Sequence, residues 1–142
     1  AYVKVTTDAR FLCPSREITR SGALGQDEPV RRYLFSYDAS PLGAVHGLDV
    51  PYVFGTFDAV ETAGGAPYEP TATDLALSAQ VQRYWTQFAR TGDPASGGDP
   101  AWPAWPASGD GDPAMDLSAA PGVVEGAGAE HCDFWRPIYE AL

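Results

Sequence analysis

Basic residues are scarce: nine lysines and arginines stand against 19 aspartates and glutamates, a formal charge of −10. A chain this acidic is repelled by phosphate backbones and by anionic bilayers, so neither nucleic acid nor a membrane surface is an expected partner. Histidine and cysteine are rarer, two of each and scattered, which is too few for a structural zinc site, and no metal is expected. No stretch approaches the ~20 apolar residues of a membrane span, and no basic segment running into an apolar one opens the sequence. Cys13 and Cys132 lie near opposite ends. Their spacing leaves two readings open, a pair of free thiols or a disulfide, and the second implies an oxidising compartment.

Apolar and turn-forming residues are plentiful. Hydrophobic residues make up 44% of the 142, including 4 Trp, 7 Tyr and 6 Phe. That is enough for the core of one domain and too little chain for two comfortable ones. Fifteen glycines and 13 prolines predict long irregular stretches.

Along the chain, Thr7–Arg20 reads as a helix interrupted or started near Pro14, and Ser21–Pro29 as a polar surface loop. Val30–Asp38 (VRRYLFSYD) is the best strand, with bulk on both faces, as suits the interior of a layered α/β protein. Ala39–Pro51 is a loop of small residues centred on His46. Pro51–Phe57 follows as a short irregular segment or helical turn, and Ala59–Pro70 as another loop. Thr71–Thr91 is the strongest helix, with Leu77, Val81, Tyr84, Trp85 and Phe88 on one stripe. Thr71 with Asp74 forms a capping box, or else Thr73 is the N-cap, and Gly92 and Pro94 stop the helix. From Asp93 to Gly128 the chain reads as a wrapping loop with apolar islands at Trp102–Trp105, Met115–Leu117 and Val123–Val124. Glu130–Leu142 is a terminal helix carrying Phe134, Trp135 and Ile138. One long strand cannot satisfy its own backbone groups, so its partners are expected from another segment or another copy.

His46 lies beyond the end of that strand, where open α/β sheets place catalytic groups. Its small neighbours leave the ring accessible, and imidazole can take and return a proton at neutral pH. On these grounds alone a solvated loop histidine is the simpler reading. For Trp102 and Trp105, packing is a simpler reading than sugar stacking. His131 beside Cys132 reads as an ordinary helix residue rather than a ligand.

Four blocks in series change the weight on His46: Gly43–Gly55 (GAVHGLDVPYVFG), Phe88–Pro94 (FARTGDP), Trp102–Pro106 (WPAWP) and Cys132–Trp135 (CDFW). In this order, over Val5–Trp135, they resemble the C-terminal part of type-B carboxylesterases and cholinesterase-like proteins. The resemblance implies the C-terminal segment of an α/β-hydrolase fold, incomplete by itself. It would supply the last strand or strands, the histidine loop and covering helices, with residues 1–142 forming part of one catalytic domain and no independent second domain. It implies that His46 is the triad base; Gly47 and Asp49 are the candidates to support it. Asp49 reads as a local hydrogen-bond partner or as a solvated carboxylate; neither it, Asp8 nor Asp38 matches the family's triad acid. It also implies a disulfide between Cys13, in Phe11-Leu12-Cys13-Pro14, and Cys132, and with it a secreted or periplasmic protein.

The remaining machinery is not in this sequence. No serine lies in a Gly-x-Ser-x-Gly elbow, and the Gly-Gly pairs, Gly64-Gly65 and Gly97-Gly98, sit in ordinary loops. The expectation is therefore a fragment of a serine hydrolase acting on small-molecule carboxylic esters without any cofactor. It would be inactive alone and would have the N-terminal remainder of the same polypeptide as its partner. Two rivals are a catalytically silent cholinesterase-like interaction protein and a stand-alone binding or assembly module that self-associates through an open strand edge.

Overall fold

The computed structural model describes residues 2–38, 44–62, 64–95 and 97–141. Helix α1 (Tyr2–Thr7) runs through a π-turn (Asp8–Leu12) into α2 (Cys13–Gly25). The π-turn is closed by the Cys13 N–H donating to the Asp8 carbonyl. Pro14, which has no N–H to give, falls at the first turn of α2, so of the two readings the helix started near Pro14 is the one observed, with the π-turn running into it. The loop expected from Ser21 loses its first turn to α2, where Ala23 is buried and Gly22 lies against Val30.

Strand β1 is Tyr33–Phe35, shorter than the sequence predicts; it is followed by α3 (Asp49–Phe54), a 3₁₀ turn (Phe57–Ala59) and α4 (Ala72–Thr91). Then come β2 (Pro113–Leu117), β3 (Gly122–Glu125) and α5 (Ala129–Glu140). The sheet order is β1–β2–β3, with β1 parallel to β2 in the register Tyr33↔Met115, Leu34↔Asp116, Phe35↔Leu117. The strand partners thus come from this same chain, out of the stretch expected to be loop. A parallel pair needs a long crossover, and the residues carrying α3 and α4 supply it. β2 shows no polar alternation because Ala114, Met115 and Leu117 are all buried. Its proline opens the strand, where no ladder donor is needed.

The chain divides into two compact units. One comprises Ala1–Arg32, Pro103–Ala114 and Val124–Leu142. Here Cys13 and Cys132, both buried, are joined in a disulfide. Gly128, in the left-handed conformation just ahead of α5, has no room for a side chain: a Cβ there would stand 2.5 Å from Leu12 Cδ2. Two buried arginines share one buried carboxylate, with Arg16 Nε 2.7 Å from Asp112 Oδ2 and Arg32 Nη1 2.7 Å from Asp112 Oδ1. Arg16 Nη1 also donates to Asp133 at 2.8 Å. Phe134 and Ile138, carried on the last helix as the sequence reading has it, are exposed; Cys132 is buried.

The second unit comprises Tyr33–Trp102 and Met115–Val123. Its core joins Leu77, Val81 and Tyr84 of α4 to Tyr52 of α3 and to Met115 and Leu117 of β2. Tyr33 is met edge-on by Trp85 and Trp102, at 5.2 and 5.9 Å between centroids. Phe88 departs from the expected stripe: it is 50% exposed, where α4 runs on to its Gly92 stop. Among the described residues no helix is long and apolar enough to cross a membrane.

Candidate active site

The histidine is presented by a short turn pinned on both sides. Within it, the Leu48 N–H donates to the Val45 carbonyl at 3.1 Å and the Val50 N–H to the Gly47 carbonyl at 3.2 Å. Gly47 sits at φ +84°, a left-handed conformation that strains any residue with a Cβ. Leu48 plugs into the core, whereas the His46 side chain is exposed. The sequence is what separates the two: an apolar residue two positions after the histidine anchors the turn, and the glycine between them reverses it. Gly43, the first residue of the motif, lies outside the described residues.

Asp49 opens α3, and its Oδ2 accepts the Tyr33 hydroxyl at 2.8 Å, tying the turn to β1. Burial and the neighbouring carboxylate hold the Tyr33 hydroxyl well above its ordinary pKa, so it remains a donor. Of the two readings of Asp49, the structure shows the hydrogen-bonded one, with Tyr33 as partner. Asp38 is exposed. Asp8 is buried in the π-turn, 3.2 Å from Nδ1 of His131.

Helix α3 is held by a carboxylate that the capping pattern made partly legible. Thr71 and Asp74 form the capping box. Beyond that box, Asp74 Oδ1 accepts the Tyr52 hydroxyl at 2.6 Å and Oδ2 accepts the Tyr68 hydroxyl at 2.8 Å. Oδ2 also accepts the Thr71 N–H and hydroxyl, each at 2.6 Å. Ser78 Oγ donates to the Tyr52 carbonyl at 2.7 Å, a second tie between α3 and α4. The tyrosine partners carry no local signal, since they meet Asp74 only after folding.

Burial alone would raise the Asp74 pKa, but hydrogen bonds from Thr71, Tyr52 and Tyr68 outweigh it and hold the carboxyl below its ordinary value. A carboxyl depressed in the folded state stabilises it fully above the unfolded pKa, and the contribution fades as pH falls through the folded value. The urea midpoint of the native protein should therefore exceed that of Asp74→Asn at about pH 6, with the gap narrowing toward about pH 2. A gap that stays constant over that range would contradict this account of the carboxylate.

Trp102 and Trp105 are both buried, Trp102 within the core of its unit, which fits the packing reading. His131 lies on α5 as an ordinary helix residue facing Asp8. No group of three or more His, Cys, Asp or Glu that could hold a metal is found among the described residues.

A family model described as "Carboxylesterase family" matches residues 1–135. Acetylcholinesterase of Gallus gallus is 33% identical over 150 residues, covering 97% of this chain and 18% of the relative. Cocaine esterase of Homo sapiens is 26% identical over 143 residues, covering 95% of this chain and 24% of the relative. A solved pNB esterase superposes with a TM-score of 0.74 at 24% identity, over 92% of this chain and 26% of that one, a likeness that shows the fold. The small sheet and its helices are thus part of an α/β-hydrolase fold, and the chain spans about a quarter or less of the length of these relatives. With the family model matching residues 1–135 of the 142, the chain belongs to the carboxylesterase family.

Proposed function

We propose that this chain is the histidine-bearing part of a serine hydrolase acting on small carboxylic esters, with His46 as the base. The observation that carries the proposal is an exposed imidazole held on a turn whose neighbours, Leu48 and Asp49, are fixed to the core and to β1. Such a ring is positioned yet open to a nucleophile supplied from elsewhere. In the proposed reaction, Nε2 takes the proton of a serine hydroxyl as its oxygen bonds to the ester carbonyl carbon. A carboxylate on Nδ1 orients the ring, and backbone N–H groups hold the oxyanion. The imidazolium returns the proton to the departing alcohol. Water then repeats the cycle on the acyl-enzyme, releasing the acid and restoring the serine. The serine, the triad acid and the oxyanion donors are assigned to residues outside this sequence, so this chain alone is inactive. The disulfide supports a secreted or periplasmic site of action.

The test is labelling with a fluorophosphonate, which reacts with activated serines. The 142-residue chain should take up no label and hydrolyse no p-nitrophenyl ester. The complete polypeptide carrying it should be labelled at one serine outside this sequence. A complete polypeptide that takes no label would instead favour the silent interaction protein.

A further inference from the structure

Gly47, which follows His46, has no side chain to stiffen the turn, so the direction of the imidazole depends on what holds the next residues. Two anchors do. Leu48 is buried in the core of its unit, and Asp49 Oδ2 accepts the Tyr33 hydroxyl at 2.8 Å. They differ in kind. An apolar contact tolerates rotation and sliding, whereas a hydroxyl bonded to a carboxylate is charge-assisted and directional. Tyr33 is itself held in place. It lies opposite the fully buried Met115 in the parallel register, and Trp85 and Trp102 meet its ring edge-on. From Asp49 the way back to the histidine is short, His46-Gly47-Leu48-Asp49, and the Val50 N–H closes it on the Gly47 carbonyl at 3.2 Å. Every member of this path belongs to one unit.

Resting on the reading of His46 as the base, we propose that Tyr33 is a positioning residue for it, its hydroxyl holding the Asp49 side chain and with it the exit of the histidine turn. A proton-transferring group must be held to within about 0.5 Å, and a displacement of about 1 Å can cost ~100-fold in rate. Leu48 alone leaves the turn free to swing about that anchor; a directional tie at the next residue removes the rotation. The tie needs an acceptor oxygen at position 49 and not a full charge, so its loss and its rescue are chemically separable.

The experiment compares Tyr33→Phe, Asp49→Ala and Asp49→Asn in the complete polypeptide, with Tyr68→Phe as the control. Tyr33→Phe keeps the ring that Trp85 and Trp102 meet and removes only the hydroxyl. Two quantities are read: kcat per fluorophosphonate-titrated site, with KM, and deuterium exchange of the peptide spanning His46. Tyr33→Phe and Asp49→Ala should each lose about 10-fold in kcat per site at a KM within about twofold, and the His46 peptide should exchange several-fold faster. The double variant Tyr33→Phe/Asp49→Ala should lose no more than either alone, because the same bond is removed once. Asp49→Asn keeps an oxygen that can accept the hydroxyl and should recover most of the loss. Tyr68→Phe, which gives up a hydroxyl bond to Asp74, should stay within about twofold of the native protein on each reading. Native kcat and exchange in Tyr33→Phe, or losses that multiply in the double variant, would overturn the proposal. So would an Asp49→Asn as impaired as Asp49→Ala, since charge and not the bond would then be at work. Should Tyr33→Phe fail to fold, the comparison of Asp49→Ala with Asp49→Asn decides. Activity that survives His46→Ala would remove the base reading while exchange in Tyr33→Phe still reads the tie, so the two failures are separable.

Discussion

In the complete polypeptide, His46→Ala should lower kcat for ester hydrolysis by about 10⁴-fold or more with little change in KM. The size follows from the role proposed for the ring. A serine hydroxyl is a poor nucleophile until its proton has somewhere to go, and the leaving alcohol needs that proton back. Alanine removes both functions while the neighbouring anchors of the turn remain. Leu48 still fills its place in the core, and Asp49 still accepts Tyr33, since neither contact involves the imidazole. The loss therefore falls on the chemical step rather than on folding or substrate binding, and the residual rate reflects the oxyanion donors. His131 provides the control. It is the other histidine of the sequence, sits on α5 and faces Asp8 at 3.2 Å. His131→Ala should leave kcat within about twofold. Full activity in His46→Ala, or equal losses in the two variants, would end the assignment of His46 as the base.

How far such features can be read beforehand depends on whether their signal is local. Helix α4 is legible from Thr71 to Gly92 because its cap, its apolar stripe and its stop all act within a few residues of themselves. The stripe overreaches only at Phe88, where the helix continues but the covering core does not. The histidine turn is legible through its Gly and its motif. β2 is not, since Pro113-Ala-Met-Asp-Leu shows neither alternation nor β-branching; its strand character comes from lying beside β1 in a buried layer. The start of α2 near Pro14 is legible, but the π-turn ahead of it is not, since a π-turn has no composition that announces it. The pairing of Arg16 and Arg32 on Asp112 spans 96 and 80 positions. Each of these charges, seen singly, reads as surface. Tyr52 and Tyr68 are the same case in milder form: apolar rings by composition, hydrogen-bond donors to Asp74 only in the folded chain.

Removing the disulfide should have the largest effect on stability. The Cys13→Ala/Cys132→Ala variant should be about 4–5 kcal/mol less stable to unfolding than the oxidised protein. The bridge closes a loop of sequence separation 119, and the chain-entropy model makes the benefit grow slowly with loop length. Most of the cost should enter through the unfolded state. In the native unit, Arg16 still bonds Asp133, Arg136 still meets Glu17 and the Tyr139 hydroxyl still donates to the Ala9 carbonyl. The N-terminal helical run and α5 thus keep side-chain ties after the sulfurs are gone, and two small alanines leave little empty volume in their place. This separates the variant from Gly128→Ala, which would strain the native backbone and push a Cβ into Leu12. Denaturant titrations with and without reductant distinguish the two mechanisms. The native protein should shift to a lower midpoint on reduction, whereas the double-alanine variant should not respond and should sit near the reduced native protein. kcat per titrated site should be unchanged in the folded variant, because His46 belongs to the other unit. An oxidised protein and a double-alanine variant with the same midpoint would mean that the bridge is dispensable. In that case its buried position, and not any restriction of the unfolded chain, would have to account for the pairing.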